Sequence, residues 1–153
     1  MYLTYLFIMY NYMTTSKTRV YVDGVFDLTH YGHYKLFQQA KELGDILIVG
    51  VLSDEECKNY KRKPILTEKE RAENIRCCGH VDTVIEGVPN IVTKDFIKKY
   101  NIHIVAHAHT EEEHEKYNYQ YIDPTQLGIF RRLNYTSTIS TTDIIKRIKT
   151  GDY

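Results

Sequence analysis

The chain has 153 residues, a length typical of one domain with a substantial core. Its 20 Lys and Arg residues balance its 20 Asp and Glu residues, so its charge predicts neither a nucleic-acid surface nor a membrane-surface partner. Three cysteines, two of them adjacent, do not suit a disulfide framework and favour a reducing, cytoplasmic environment.

The first 13 residues are apolar and rich in tyrosine. They are too short to span a membrane, and they lack the basic start and the cleavage site of a signal peptide. All three Met residues fall here, so we expect translation to be able to begin at Met13. We therefore predict an extension over residues 1–17, loosely ordered or packed on the domain or a partner subunit. A single domain over residues 18–153 follows, with no stable membrane anchor.

The stretch after this extension predicts an anion site. Val20–Val22 is an apolar run typical of a buried strand, Asp23-Gly24 indicates a turn, and a helical pattern follows. A strand, a glycine turn and a helix in this order place helix N-terminal amides at the carboxyl end of the strand, where α/β proteins bind anions. His30 and His33 share one face of the first helical turn, which favours a phosphate site. The alternative is a pair of surface or core histidines.

Strands and helices alternate along the rest of the chain. The patterns predict strands over 46–52, 81–85, 102–106 and 129–133, and helices over 33–43, 68–78, 93–100 and 143–149. Ile144, Ile145 and Ile148 are expected on the buried face of the last helix. This alternation predicts an α/β fold, a Rossmann-like parallel sheet with helices on both faces and the ligand site at the carboxyl ends of the strands.

Two further features are ambiguous. Four cationic residues between 58 and 63 indicate either a solvated loop or a triphosphate contact. Arg71 falls in a first helical turn, where the helix dipole disfavours a cation. It therefore needs an anionic partner, either a ligand or a neighbour such as Glu68.

Histidines at 80, 103, 107, 109 and 114 raise the question of a zinc site. His107 and His109 are two residues apart and share one face of a strand. No Cys or carboxylate pattern completes a zinc site, so we predict no metal held by the protein itself.

The string over residues 23–33, D-G-x-F-D-L-x-H-x-G-H, resembles the signature of the cytidylyltransferases in the H-x-G-H nucleotidyltransferase superfamily. The resemblance continues over 45–55, through Lys61, Glu70-Arg71 and 81–84, and into 139–145, so that it covers about residues 18–150. It is greatest to the ethanolamine-phosphate and choline-phosphate enzymes and implies the nucleotidyltransferase fold.

The resemblance implies a reaction in which CMP passes from CTP to a small alcohol phosphate, with release of pyrophosphate for phospholipid synthesis. It implies Mg²⁺ bound through the CTP phosphates and a homodimer with His30 near the interface. The implied catalytic residues are His30, His33 and Lys61. The implied nucleotide-binding residues are Gly24, Val25, Phe26, Arg71, His107, Thr136, Ile139, Ser140 and Thr141. The implied substrate contacts are Lys61, Asn90 and Glu112.

Two departures from the family pattern bear on activity. Tyr135 stands where the family has an arginine, so a bidentate phosphate partner is lost unless Arg131 or Arg132 replaces it. The aromatic positions that would enclose a quaternary ammonium fall on Asn90 and Glu112, and this favours ethanolamine phosphate over choline phosphate. Glycerol 3-phosphate, an ATP-dependent nucleotidyltransferase and a non-catalytic nucleotide-binding paralogue remain as alternatives.

Overall fold

The computed structural model of the chain describes residues 16–60 and 62–152. Most of the predicted 1–17 extension, and Lys61, lie outside this part. The strands are β1 (Arg19–Gly24), β2 (Ile46–Leu52), β3 (Thr83–Val88), β4 (Ile104–His107) and β5 (Phe130–Arg132). The helices are α1 (Tyr31–Lys41), α2 (Asp54–Tyr60), α3 (Glu68–Arg76), α4 (Lys94–Lys99), α5 (Glu111–Tyr117), α6 (Ile122–Gln126) and α7 (Thr141–Thr150), with a 3₁₀ turn over Asn118–Tyr121.

The five strands form one parallel sheet in the order β3-β2-β1-β4-β5. The order reverses at β1, which lies in the centre between β2 and β4. A crevice opens beyond the carboxyl ends of the strands at such a reversal, and α/β proteins bind ligands there. The predicted Rossmann-like α/β fold is confirmed, and β1 carries the residues that enter this crevice.

The sheet is covered on both faces because the strand side chains alternate. Val20 and Val22 of β1 pack with Phe37 of α1 and Ile75 of α3 on one face. Tyr21 points to the opposite face, where a second cluster contains residues of α4 and the 3₁₀ turn. The central strands are apolar toward both layers, as expected for a buried parallel sheet.

Local caps fix where several helices begin. Thr67 Oγ1 accepts a hydrogen bond from Glu70 N at 3.4 Å, and the Glu70 carboxylate accepts one in return from Thr67 N at 2.8 Å. Thr93 and Ser140 cap α4 and α7 through one side, since their hydroxyl oxygens accept hydrogen bonds from Phe96 N and Asp143 N. Such caps satisfy backbone N–H groups that have no partner within the helix, and they explain why the starts of α3 and α4 agree with the prediction to within one residue. Helix α7 begins at Thr141, two residues before the predicted start at 143.

Other boundaries differ from the sequence expectation. β3 and β4 lie about two residues further along than 81–85 and 102–106. The prediction that Ile148 is buried is wrong: its side chain is 60% exposed, and α7 contains no fully buried residue. The amphipathic pattern of α7 is real, but within the described residues no other element covers the end of its apolar face.

Gly50 in β2 makes room for a large neighbour. A Cβ atom at this position would lie 2.9 Å from Cε2 and Cζ of the Tyr21 ring on the adjacent strand. Tyr21 is itself 1% exposed, so its ring lies within the core and not at the surface. At the centre of the sheet, the large side chain of Tyr21 thus lies next to Gly50, which has no side chain.

None of the described helices has both the length and the apolar character needed to cross a membrane.

Candidate active site at the carboxyl edge of the sheet

A pocket of about 260 Å³ opens at the carboxyl edge of the sheet. Its wall is formed by the end of β1 with the turn after it, the start of α1, the end of β4 and the loop between β5 and α7. Ten of the sequence-predicted site residues line it: Gly24, Val25, Phe26, His30, His33, His107, Thr136, Ile139, Ser140 and Thr141. The fold therefore brings together segments more than 100 residues apart in sequence.

His30 and His33 form the N-terminal cap of α1. The Nδ1 atom of His30 accepts a hydrogen bond from Gly32 N at 3.2 Å, and Nδ1 of His33 accepts one from His30 N at 3.3 Å. The two rings stack with centroids 3.9 Å apart. A neutral imidazole that accepts at Nδ1 carries its proton on Nε2. The cap therefore leaves each ring with an Nε2–H donor for a ligand.

Both imidazoles are neutral near pH 7. Burial lowers the pKa of His33 to about 3, with a smaller contribution from neighbouring His30, and the carboxylate of Asp27 opposes this shift. Burial also lowers the pKa of His30. The pair therefore offers hydrogen-bond donors rather than positive charges. Such donors stabilise charge that develops during a reaction when they are held in place beforehand.

Gly32 between the two histidines leaves room for the ring of His30. A Cβ atom there would lie 3.0 Å from both Cε1 and Nδ1 of His30. The preceding turn holds Phe26 at a φ of 52° and Leu28 at a φ of 45°, a left-handed conformation that costs energy for residues other than glycine. This turn is strained where it borders the pocket, as is common at functional sites.

Asp27 joins three loops at the pocket. Its buried carboxylate accepts hydrogen bonds from Ile65 N at 2.8 Å and Leu66 N at 3.0 Å, and from Arg62 Nη1 at 3.2 Å. Its main-chain oxygen accepts a hydrogen bond from Thr141 Oγ1 at 2.8 Å. The β1–α1 turn, the α2–α3 loop and the start of α7 are thus held against one another by one residue.

A hydrogen-bonded network forms the opposite wall. Tyr121 OH donates to Asp23 Oδ1 at 2.7 Å and lies 2.7 Å from His107 Nδ1. Because the hydroxyl proton goes to the carboxylate, His107 donates from Nδ1. The other carboxylate oxygen, Asp23 Oδ2, is buried without a hydrogen-bond partner among the described residues. The ring of His109 packs on that of His107, with centroids 3.9 Å apart.

The loop before α7 is fastened to α1. Tyr31 OH and Thr138 Oγ1 are 2.6 Å apart, and Gln39 exchanges two hydrogen bonds with the backbone of Asn134. These contacts hold Thr136, Ile139 and the capping Ser140 on the wall of the pocket, as the sequence predicts.

Arg71 does not reach the pocket. It is fully buried, and its guanidinium donates to Val25 O at 2.6 Å, to Leu52 O at 2.8 Å and to Asp54 Oδ1 at 2.7 Å. The anionic partner required by its position is therefore Asp54. The predicted role of Arg71 in binding pyrophosphate does not fit this arrangement, because the N–H donors of its guanidinium are already bonded to protein acceptors. Instead, it holds the backbone of Val25 in place behind the pocket.

Other predicted contacts also lie elsewhere. Asn90 and Glu112 are not on the pocket wall, and Glu113 lines it instead. Arg132 pairs with both carboxylate oxygens of Glu111 at 2.8 and 2.7 Å, and Arg131 donates to Gly128 O and Phe130 O. Neither of these arginines replaces the guanidinium missing at 135. Lys61 lies outside the described residues.

Five charged or ionisable residues of the pocket wall are not among the predicted site residues: Asp23, Asp27, Arg62, His109 and Glu113. Both aspartates belong to the D-G-x-F-D string, and a carboxylate at the end of an apolar strand is a signal that was available. Arg62 was hidden among the other cations of its loop, because charge alone does not show which of them faces inward.

Comparisons with known proteins bear on the family of this chain. The cytidylyltransferase-like family model matches residues 21–147. The ethanolamine-phosphate cytidylyltransferase of Dictyostelium discoideum is 39% identical over 137 residues, which are 88% of this chain and 38% of that protein. The choline-phosphate cytidylyltransferase 2 of Arabidopsis thaliana is also 39% identical, over 85% of this chain and 44% of that protein. The chain thus spans about two fifths of the length of these relatives.

A solved structure has the same fold. The lipopolysaccharide core biosynthesis protein of Thermoplasma volcanium superposes with a TM-score of 0.63 at 26% identity, covering 80% of this chain and all of that one. The family model covers most of the chain, including the histidine pair and the loop before α7. The chain belongs to the cytidylyltransferase-like family.

Proposed function

We propose that this chain transfers CMP from CTP to ethanolamine phosphate and releases pyrophosphate. The observation that carries the proposal is the pair of neutral imidazoles that cap α1 and keep an Nε2–H donor each. An oxygen of the acceptor phosphate attacks the α-phosphorus of CTP, a new P–O bond forms, and the bond between the α- and β-phosphates breaks. This reaction needs positioning and charge stabilisation, and no covalent bond to the protein.

The two histidines suit the charge that accumulates at the α-phosphorus. Their Nε2–H groups are held by the cap before any ligand arrives, so little reorganisation is needed during the reaction. The N-terminal amides of α1 add a partial positive charge at the same place.

The carboxylates on the opposite wall favour a primary ammonium in the acceptor. Asp23 keeps one buried oxygen unpartnered among the described residues, and Glu113 lies on the same pocket wall. An ammonium group has three N–H donors for such oxygens. A trimethylammonium group has no N–H donor for these oxygens and is bound chiefly by aromatic faces. Choline phosphate is the second candidate, because choline-phosphate enzymes are among the relatives.

We expect Mg²⁺ to enter with CTP as part of the substrate. In the described part of the chain, no three His, Cys, Asp or Glu side chains converge as a metal site. The chain's own residues would then bind the nucleotide phosphates, and the metal would neutralise part of their charge.

We also expect a homodimer in the cytoplasm. Tyr31 and Tyr34, beside His30 at the start of α1, are 45% and 38% exposed, and exposed aromatic residues favour an interface there. The three cysteines are free thiols, which suits a reducing compartment.

The test is pyrophosphate release from CTP and Mg²⁺, with ethanolamine phosphate, choline phosphate and glycerol 3-phosphate in separate reactions and with ATP replacing CTP as a control. We expect the fastest release with ethanolamine phosphate and CTP. Faster release with choline phosphate would overturn the assigned head group, and faster release with ATP would overturn the assigned nucleotide. CTP binding without release in any reaction would favour a non-catalytic paralogue, the alternative to which Tyr135 points.

A further inference from the structure

The pocket has few cationic groups for a ligand as anionic as a triphosphate. Its described wall contains three carboxylates, those of Asp23, Asp27 and Glu113, and its histidine pair is neutral. Among the described lining residues, Arg62 is the only arginine or lysine. The charge that binds the triphosphate must therefore come from this residue, from Mg²⁺ or from outside the described residues.

Arg62 is placed for this role. Its guanidinium is half-exposed, with 41% of the side chain accessible, and it contacts Asp27 Oδ2 at 3.2 Å and Lys63 O at 3.3 Å. Both contacts use Nη1, and no acceptor for the N–H groups on Nε and Nη2 is found among residues 16–59 and 62–152. Asp27 fixes the loop below Arg62 through its two backbone contacts. The guanidinium is thus anchored on one side and open on the other.

The other arginines near the pocket are occupied. Arg71 is fully buried, and protein acceptors hold its guanidinium. Arg131 and Arg132 bond to their own loop and to Glu111. Tyr135 lines the pocket where the family has an arginine, and it offers only a hydroxyl.

We propose that Arg62 binds the β- and γ-phosphates of CTP and thereby replaces the guanidinium that is missing at position 135. A planar guanidinium presents two parallel N–H donors to a phosphate, which a neutral imidazole does not. The inference rests on the proposed use of CTP, and it adds a binding residue from a different loop.

Titration calorimetry with CTP and with CMP, both in the presence of Mg²⁺, tests this assignment. Arg62→Ala should weaken CTP binding about 10- to 100-fold, the range for losing a charged hydrogen bond, and change CMP binding by less than about 3-fold. Lys63→Ala removes the neighbouring cation, which does not line the pocket, and should leave both affinities unchanged. In the Arg62→Ala background, Tyr135→Arg should restore CTP affinity by a larger factor than it adds to the wild type.

Three results would overturn the inference. Equal CTP affinity in the wild type and Arg62→Ala means that Arg62 does not contact the nucleotide. Equal loss of CTP and CMP affinity means that Arg62 acts only through the shape of its loop. If the wild type binds neither CTP nor CMP, both this inference and the proposed function fail. The first two results overturn only the role of Arg62 and leave the proposed function standing.

Discussion

His30 and His33 perform two tasks with different nitrogen atoms. Their Nδ1 atoms accept backbone hydrogen bonds at the start of α1, and their Nε2–H groups remain for a ligand. Ser, Thr, Asp and Asn are the usual residues at such a cap. An imidazole is larger, and it reaches into the pocket while it caps. The cap hydrogen bonds that start the helix therefore also orient the two Nε2–H groups toward a ligand.

His33→Ala should reduce turnover by about 10²- to 10³-fold, because one fixed donor to the reacting phosphate is lost. The matched variant is His33→Gln, whose amide N–H lies near the position of Nε2–H and should retain more activity. Pyrophosphate release gives the rates, and circular dichroism checks that the fold is intact. Near-normal turnover in a folded His33→Ala protein would show that this histidine does not touch the reacting groups.

The partly buried, neutral state of His33 predicts an acid-sensitive fold. Its folded pKa of about 3 lies below the value of 6.5 for an exposed histidine, so the unfolded chain binds the extra proton between these values. The stabilising contribution is complete above about pH 6.5 and is lost progressively as the pH falls toward 3. At about pH 5 the loss should be about 2 kcal/mol.

Urea unfolding at about pH 7.5 and about pH 5 measures this effect, with His33→Gln as the variant that cannot titrate. The drop in the free energy of unfolding should be about 2 kcal/mol smaller in the variant. Equal drops in both proteins would mean that His33 is accessible to protons in the folded state.

At the scale of the elements, the pocket depends on loops that have no sheet hydrogen bonds of their own. Asp27 connects three of them and is only 2% exposed. Asp27→Ala leaves two backbone N–H groups and Arg62 without their acceptor, and it should lower the free energy of unfolding by about 2–4 kcal/mol.

Asp45→Ala is the control for this loss, because it removes an exposed carboxylate that accepts from Thr18 N at 2.7 Å. It should cost about 1 kcal/mol or less. Urea unfolding compares the two variants. A similar loss in the free energy of unfolding for both variants would show that the buried hydrogen bonds of Asp27 stabilise the fold no more than an exposed one.

The elements that the sequence predicts well are those whose signals are local. The apolar run of β2 and the Thr67–Glu70 cap depend only on near neighbours in the chain, and both are confirmed. The helix dipole correctly required an anion for Arg71. It did not identify the anion, because Asp54 lies on another helix, 17 residues away in the sequence. Likewise, periodicity predicted an apolar face on α7 but not whether another element covers it.

For the molecule as a whole, we expect the exposed aromatic residues beside His30 to join two copies of the chain. Tyr34→Glu places a charge in this contact and should shift the protein from dimer to monomer. Ile148→Glu makes a similar change on the exposed end of a different helix, α7, and should leave the dimer intact. Light scattering after size-exclusion chromatography gives the masses. A wild-type monomer, or a stable Tyr34→Glu dimer, contradicts the proposed interface.

Much of the pocket was predictable because the fold itself was. Once the strand order is known, the ends of β1 and β4 must meet, and His30, His33 and His107 meet with them. What the sequence could not supply is which charged groups face inward on the surrounding loops. Arg62 turns toward Asp27 while Arg132 turns to Glu111, and this choice depends on contacts between distant residues.

Gly50 and Tyr21 restrict how this sheet can change by mutation. Any side chain at 50 would place its Cβ atom 2.9 Å from two atoms of the buried Tyr21 ring, so a mutational scan should show almost every substitution at Gly50 as depleted. The same substitutions should be tolerated better in a background where Tyr21 is already small. The order of the substitutions then matters, because Tyr21 must be replaced by a smaller residue before Gly50 can be replaced by a larger one. We therefore expect proteins that retain tyrosine at position 21 to retain glycine at position 50.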